Sequence, residues 1–330
     1  MNNEVLKSEI LRLKKELDVT IVAHFYQKDE VFELADLSGD SLQLAQMAME
    51  DKNPFLIFCG VGFMGESVKI LSPDKRVLMP KLACCAMARM IDGEHYDTSI
   101  AILEKEGIKK EDILPITYIN SSATVKAKVG EMGGMVCTSS NAKKIIEKGL
   151  ESGKKILFVP DHCLGQNIAN MMGLPSCIIG DGTDPKKADI ICYNGFCSVH
   201  QLFDVDDIEF YRNKYPDIKI VTHPECKPSV CGASDFVGST SQIIKYIKEI
   251  PKEQKVAVGT EFNLVNRLRK ENTFVLSSTK PECPTMNETT LQDLYNTLKS
   301  IENKSFMNEV IVDEEVAKWA KIALERMFKI

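Results

Sequence analysis

Six polar side chains fall in three pairs, each pair two residues apart where a short apolar run ends. They are His24 and Tyr26 in AHFY, Tyr118 and Asn120 in TYIN, and His223 and Glu225 in THPE. On an extended strand residues i and i+2 point to one face, so the members of each pair are expected to project together. A single histidine in such a place reads as a core residue. Three segments ending alike in titratable and hydrogen-bonding groups read as the wall of one shared site.

Cysteine repeats the same rhythm. Of the eleven cysteines, Cys85 in ACCAMA, Cys197 in GFCSVH and Cys283 in PECPTM each follow the last short apolar run of a segment. Three thiolates leave one iron open if the centre is a [4Fe–4S] cluster, and three on zinc leave a place for water. The remaining cysteines share no such register and read as small buried hydrophobes, although Cys84 adjoins Cys85 and could exchange roles with it. There is no C-x-x-C pair, which removes the usual support for a zinc ribbon or a thioredoxin-like centre. Three turns add hydroxyls ahead of amphipathic helices: Ser41 in Gly39-Asp40-Ser41, Ser139 in Thr138-Ser139-Ser140 and Thr240 in Gly238-Ser239-Thr240. These hydroxyls are expected at N-cap positions, where free backbone N–H groups bind anions.

The elements that must position these residues recur three times. Each copy opens with a β-branched run (TIVAHF, PITYIN, KIVTHP), then a turn and a helix. A second apolar run follows (FLIFCGVGFM, KILFVPDHCLG, KVAVGTEFNLV), then another helix and a last short strand (RVLMP, DIICYN, TFVLSS). Strands alternating with helices predict parallel sheets built from βαβ units. The expected fold class is α/β, with three similar α/β/α sandwich domains in pseudo-threefold arrangement around a central site. Their expected ranges are 1–102, 103–214 and 215–304, with a C-terminal helix within 305–330 packing on the first. No glycine-rich fingerprint follows the first strand, which argues against an ordinary dinucleotide-binding fold.

Composition narrows the classes further. The 330 residues carry 41 Lys+Arg against 47 Asp+Glu, a net charge of −6, without a basic block that would serve a nucleic acid. The longest apolar stretch, Pro54 to Met64, is too short for a membrane span, and the charged N-terminal helix has no secretory core. A cytoplasmic protein is expected.

The chain resembles the quinolinate synthase family, nearly end to end. The resemblance is carried by AHFYQ, GDSLQLA, VGFMGESVKIL, YINSSATVKA, VCTSSNA, PDHCLGQNIA, GFCSVHQ, HPEC, GSTSQ, GTEFNLVNRL and CPTMNETTL, in one order. It implies condensation of iminoaspartate with dihydroxyacetone phosphate to quinolinate, with loss of phosphate and water. It implies a [4Fe–4S] cluster on Cys85, Cys197 and Cys283, its open iron acting as a Lewis acid. His24, Tyr26, Tyr118, Asn120, His223 and Glu225 become active-site residues, with His200 close by. Ser41, Ser139 and Thr240 become holders of phosphate or carboxylate. Glu225, the one carboxylate of the six, is the candidate general base with His223 beside it; Tyr26, Tyr118 and His24 would bind or protonate intermediates. The enzyme that supplies iminoaspartate is a candidate partner; nucleic acid and membrane are not. Two rival readings are a three-cysteine radical enzyme of the diphthamide-synthesis type and a non-catalytic iron–sulfur sensor.

Overall fold

The β-branched runs become central strands because both of their faces are covered. In the computed structural model, which describes residues 2–330, every residue of β1 (Val19–His24) and β5 (Ile113–Tyr118) is buried. The first sheet also holds β2 (Leu37–Gly39), β3 (Phe55–Cys59) and β4 (Arg76–Leu78), in the order β2-β1-β3-β4. The middle sheet, with β6 (Met135–Cys137), β7 (Lys155–Val159), β8 (Ser176–Ile178) and β9 (Ile190–Cys192), runs β6-β5-β7-β9-β8. The third, with β10 (Lys219–Thr222), β11 (Phe236–Val237), β12 (Val256–Gly259) and β13 (Thr273–Val275), runs β11-β10-β12-β13. All pairings within the sheets are parallel. The middle sheet repeats the plan of the others with one edge strand, β8, added. No helix is long and apolar enough to cross a membrane among the described residues.

Three expectations change. The capping residues are not the three hydroxyls. Asp40 caps the helix Ser41–Glu50 and Ser239 caps Thr240–Glu249, each closing a capping box with the glutamine three residues on. Asn141 precedes the helix Ala142–Leu150 and uses its side chain to take the Thr138 N–H at 2.7 Å. Ser41 and Thr240 therefore occupy the first helical turn, and Ser139 the loop before it.

The strand ends differ as well. β1 stops at His24 and β10 at Thr222, so Tyr26, His223 and Glu225 lie in turns rather than on an extended strand. In each turn a backbone N–H folds back on a ring, Tyr26 N to His24 Nδ1 at 3.1 Å and Glu225 N to His223 Nδ1 at 3.3 Å.

The last two helices also settle elsewhere. The C-terminal helix Glu314–Phe328 lies chiefly on the middle unit's helix Ala123–Glu131 and on β6, with a smaller contact to Gly62–Leu71 of the first unit. Glycine permits this close seat, since a Cβ at Gly130 would collide with the Trp319 carbonyl. Arg326 then reaches the carbonyls of Gly130 at 3.2 Å and Gly134 at 2.8 Å. The helix Leu291–Glu302 buries Leu291, Leu294, Leu298 and Ile301 with Leu6, Ile10 and Leu13 of the N-terminal helix, so it completes the first unit's core. The largest apolar cluster runs through the first and middle units, whereas the third unit keeps two clusters of its own.

Candidate active site

The carboxyl ends of the three sheets open onto one cavity. Its wall includes His24, Tyr26, Ser41, Cys85, Tyr118, Asn120, Ser139, Cys197, His223, Glu225, Thr240 and Cys283, all twelve residues singled out from sequence, together with His200 and Glu261. Cys84 is solvent-exposed and absent from this wall, so the geometry favours Cys85 over its neighbour. Among the described residues, neither Lys nor Arg lines the cavity.

A hydrogen-bonded chain crosses it from unit to unit. The Tyr26 hydroxyl lies 3.0 Å from Thr240 Oγ1 and 3.0 Å from Thr260 Oγ1. Thr260 Oγ1 is 3.2 Å from His200 Nε2, and His200 Nδ1 is 2.8 Å from Glu225 Oε2. Tyr118 faces the same wall, and Glu225 and Ser139 both act on its phenol. The His200 ring thus sits between the Glu225 carboxylate and Thr260, with Cys197 Sγ also 3.1 Å from its Nδ1. His223 stacks on His200 with ring centroids 4.7 Å apart, but its Nδ1 is 3.9 Å from the carboxylate. His223 stands beside Glu225 as expected, but the closer partner of the carboxylate is His200. The reason is the turn at Pro224, which lets His223 Nδ1 take the Glu225 backbone N–H instead.

Electrostatics in this dry pocket assigns protons. Burial pulls His24 down to about 4 and His223 down to about 3, so both are neutral near pH 7. Each accepts a backbone N–H at Nδ1, which leaves the proton on Nε2 as a fixed donor. Burial raises Glu225, but the imidazoles of His200 and His223 and hydrogen bonds from His200 and Tyr118 outweigh it and hold the carboxyl well below its usual range. Burial lifts the Tyr26 and Tyr118 phenols, keeping them as donors. Asn120 Oδ1 is buried without a partner, an acceptor left for something else.

The three cysteine loops are each tied down. The Cys283 N–H donates to Glu261 Oε1 at 3.2 Å, and Ala83, two residues before Cys85, accepts the Gly62 N–H at 2.8 Å. Cys197 Sγ sits 3.1 Å from His200 Nδ1. The thiols of Cys85, Cys197 and Cys283 are free and partly buried, and their charges act on one another, Cys283 on Cys85 and Cys85 on Cys197. Three soft, unpaired donors in the wall of one pocket fit an iron–sulfur cluster. Cys197, His200 and Glu225 also bring ligand atoms within 4.8 Å of one another, a set that could hold a single ion.

The third unit grips the turn that carries Tyr26. Arg267 donates to the carbonyls of Phe25 at 2.9 Å and Gln27 at 2.6 Å and pairs with Asp29 at 2.8 Å, while Asn263 reaches the Tyr26 carbonyl at 3.0 Å. Thr260 and Glu261 escaped the sequence reading. Their signal was positional: GTE ends the second apolar run of the third copy as PD ends that of the second, where Asp161 is equally buried.

A family model described as quinolinate synthetase A protein matches residues 8–329. The chain is 56% identical over 331 aligned positions to the quinolinate synthase of Helicobacter pylori (strain HPAG1), covering 98% of each chain. It is 40% identical to that of Streptomyces coelicolor, with 94% of this chain and 84% of the relative covered. The quinolinate synthase of Anoxybacillus flavithermus is also 40% identical, over 98% of this chain and 93% of its own.

Proposed function

The chain belongs to the quinolinate synthetase A family, and from that premise we propose that it condenses iminoaspartate with dihydroxyacetone phosphate to quinolinate. The atoms balance with one phosphate and two waters released, and no oxidant is needed. The observation that carries this reading is the single cavity in which one free thiol from each unit meets the relay ending at an ionised Glu225. The three units are read as pseudo-threefold about this cavity, in a cytoplasmic enzyme.

Cys85, Cys197 and Cys283 would hold a [4Fe–4S] cluster with one iron lacking a protein thiolate. When bound, it supplies a Lewis acid for substrate oxygen or nitrogen. Everything else falls to the chain's own residues. Glu225 accepts a proton from substrate carbon, being ionised, buried and part of the cavity wall. His200, its Nδ1 2.8 Å from Glu225 Oε2, orients the carboxylate and connects it through Thr260 to the Tyr26 hydroxyl. The Nε2–H groups of His24 and His223 are donors for developing oxyanions. Tyr118 and Asn120 hold intermediates, Asn120 with its unpartnered carbonyl oxygen.

The anionic groups of both substrates must be held without a cationic side chain in the wall. Ser41 and Thr240 lie in the first turns of their helices and Ser139 just ahead of a third, so their hydroxyls serve there with the N–H groups that Asp40, Ser239 and the Thr138 carbonyl do not already take.

Protein purified without oxygen and given both substrates is expected to form quinolinate with no S-adenosylmethionine present. Omitting either substrate should abolish the product. A requirement for S-adenosylmethionine, or no product from fully iron-loaded protein, would contradict the proposal.

A further inference from the structure

Lys126 is the one lysine whose side chain the fold buries completely, at 0% exposure. It lies in the helix Ala123–Glu131, directly behind the cavity wall. Its Nζ donates to the Ile119 carbonyl at 2.8 Å and to the Ser121 carbonyl, which flank Asn120 on either side. Nζ also stands 5.4 Å from the centroid of the Phe63 ring. Both Ile119 and Phe63 line the cavity, so this amine stands directly behind its wall.

An uncompensated cation in a core is costly, and most buried lysines are paired. Here the charged group acting on it is Glu66, from the helix Gly62–Leu71. Glu66 is itself engaged, accepting the Ala123 N–H at 2.8 Å. Other charged groups on packed elements are directed elsewhere. Asp97 of the helix Gly93–Lys105 pairs with Lys128 at 2.7 Å, and Arg326 of the C-terminal helix binds the Gly130 and Gly134 carbonyls.

We propose that Lys126 is a positioning residue for the anionic substrates, fixing the 119–121 loop that carries Asn120 and setting a buried positive charge behind a wall that has none of its own. The inference rests on the functional reading above, since it needs an anionic ligand in this cavity.

Burial brings Lys126 down to about 7 against the opposing pull of Glu66. The sign follows directly. Below about pH 7 the side chain is an ammonium and attracts anions; as pH rises through 7 that attraction is lost. The neutral amine still has two hydrogens, so both carbonyl bonds survive the change. Loop placement and charge can therefore be separated.

The probe is dihydroxyacetone phosphate, titrated by calorimetry into wild type, Lys126→Gln and Lys126→Met at pH 6 and pH 8.5. Lys126→Gln keeps a donor without charge; it should bind roughly tenfold more weakly than wild type at pH 6, equivalent to about 1.4 kcal/mol, and nearly equally at pH 8.5. Lys126→Met loses donor and charge and should bind more weakly at both. Taking the ratio to wild type at each pH cancels titration of the phosphate and of the histidines. Equal affinities, or a ratio that does not change with pH, would overturn the role while leaving the functional reading intact. Failure of wild type to bind the probe at all would remove the functional reading and this role with it.

Discussion

Serine in place of Cys85, Cys197 or Cys283, one at a time, is expected to remove the brown chromophore and to reduce quinolinate formation to background. Each thiol comes from a different sheet unit, and the three share one cavity wall, so no neighbouring thiol can fill a vacated place without moving a loop. Serine is a poor iron ligand beside thiolate, and loss of one ligand of three leaves an incomplete cage. The controls are Cys84→Ser, exposed and outside the wall, and Cys59→Ser, buried inside β3. Both should keep iron, sulfide and activity, although Cys59→Ser places a hydroxyl in a packed sheet and should lower thermal stability. Iron and sulfide content together with the visible spectrum checks this. A Cys84→Ser protein without cluster, beside a normal Cys85→Ser protein, would reverse the choice between the neighbours.

The second large effect belongs to Glu225→Gln. Glutamine has nearly the same shape and can still place an oxygen against His200 Nδ1, 2.8 Å from Oε2 in wild type, so the relay need not collapse. What it cannot do is accept and hold a proton. Turnover should therefore fall by about 10²–10⁴-fold while cluster content is retained, the usual span for loss of a general base. Because His200, His223 and Tyr118 hold the carboxyl well below its ordinary range, Glu225 stays ionised as pH falls through 5. The acid limb of the wild-type profile should accordingly not be set by Glu225 above that pH. If the carboxylate only anchored the imidazoles, Glu225→Gln would lose stability or cluster and the remaining folded enzyme would turn over normally. Near-normal turnover in a fully loaded variant would move the base to His24 or His223.

Much of this was legible because the chain states its plan three times. β-branched runs ending in polar residues located β1, β5 and β10 and the cavity at their ends. What sequence could not supply was the path of each chain past the strand. His24 and Tyr26 were paired by a period of two, yet a turn brings the Tyr26 N–H onto the histidine ring. His200 looked peripheral because it lies in a 3-10 turn 25 residues before Glu225, and only tertiary packing sets its Nδ1 on that carboxylate. The helix caps were readable and were misread. D-x-x-Q at Asp40–Gln43 and S-x-x-Q at Ser239–Gln242 fit the capping box one residue ahead of the hydroxyls chosen. Lys126 lies between Val125 and Ala127 in SSATVKAKVG, and nothing in that pattern separates this buried lysine from the half-buried Lys128 two residues on. The C-terminal helix shows the same limit, since its seat on Gly130 depends on a backbone approach that periodicity does not encode.

The most direct measurement follows quinolinate and phosphate together in one oxygen-free reaction, before and after the iron is stripped by a chelator and then rebuilt with iron and sulfide. The expected result is equal amounts of quinolinate and phosphate from loaded protein, neither above background from stripped protein, and recovery of both in proportion to restored cluster. Quinolinate formed at the full rate by stripped protein, or phosphate released without quinolinate by loaded protein, would contradict a cluster-dependent condensation in this cavity.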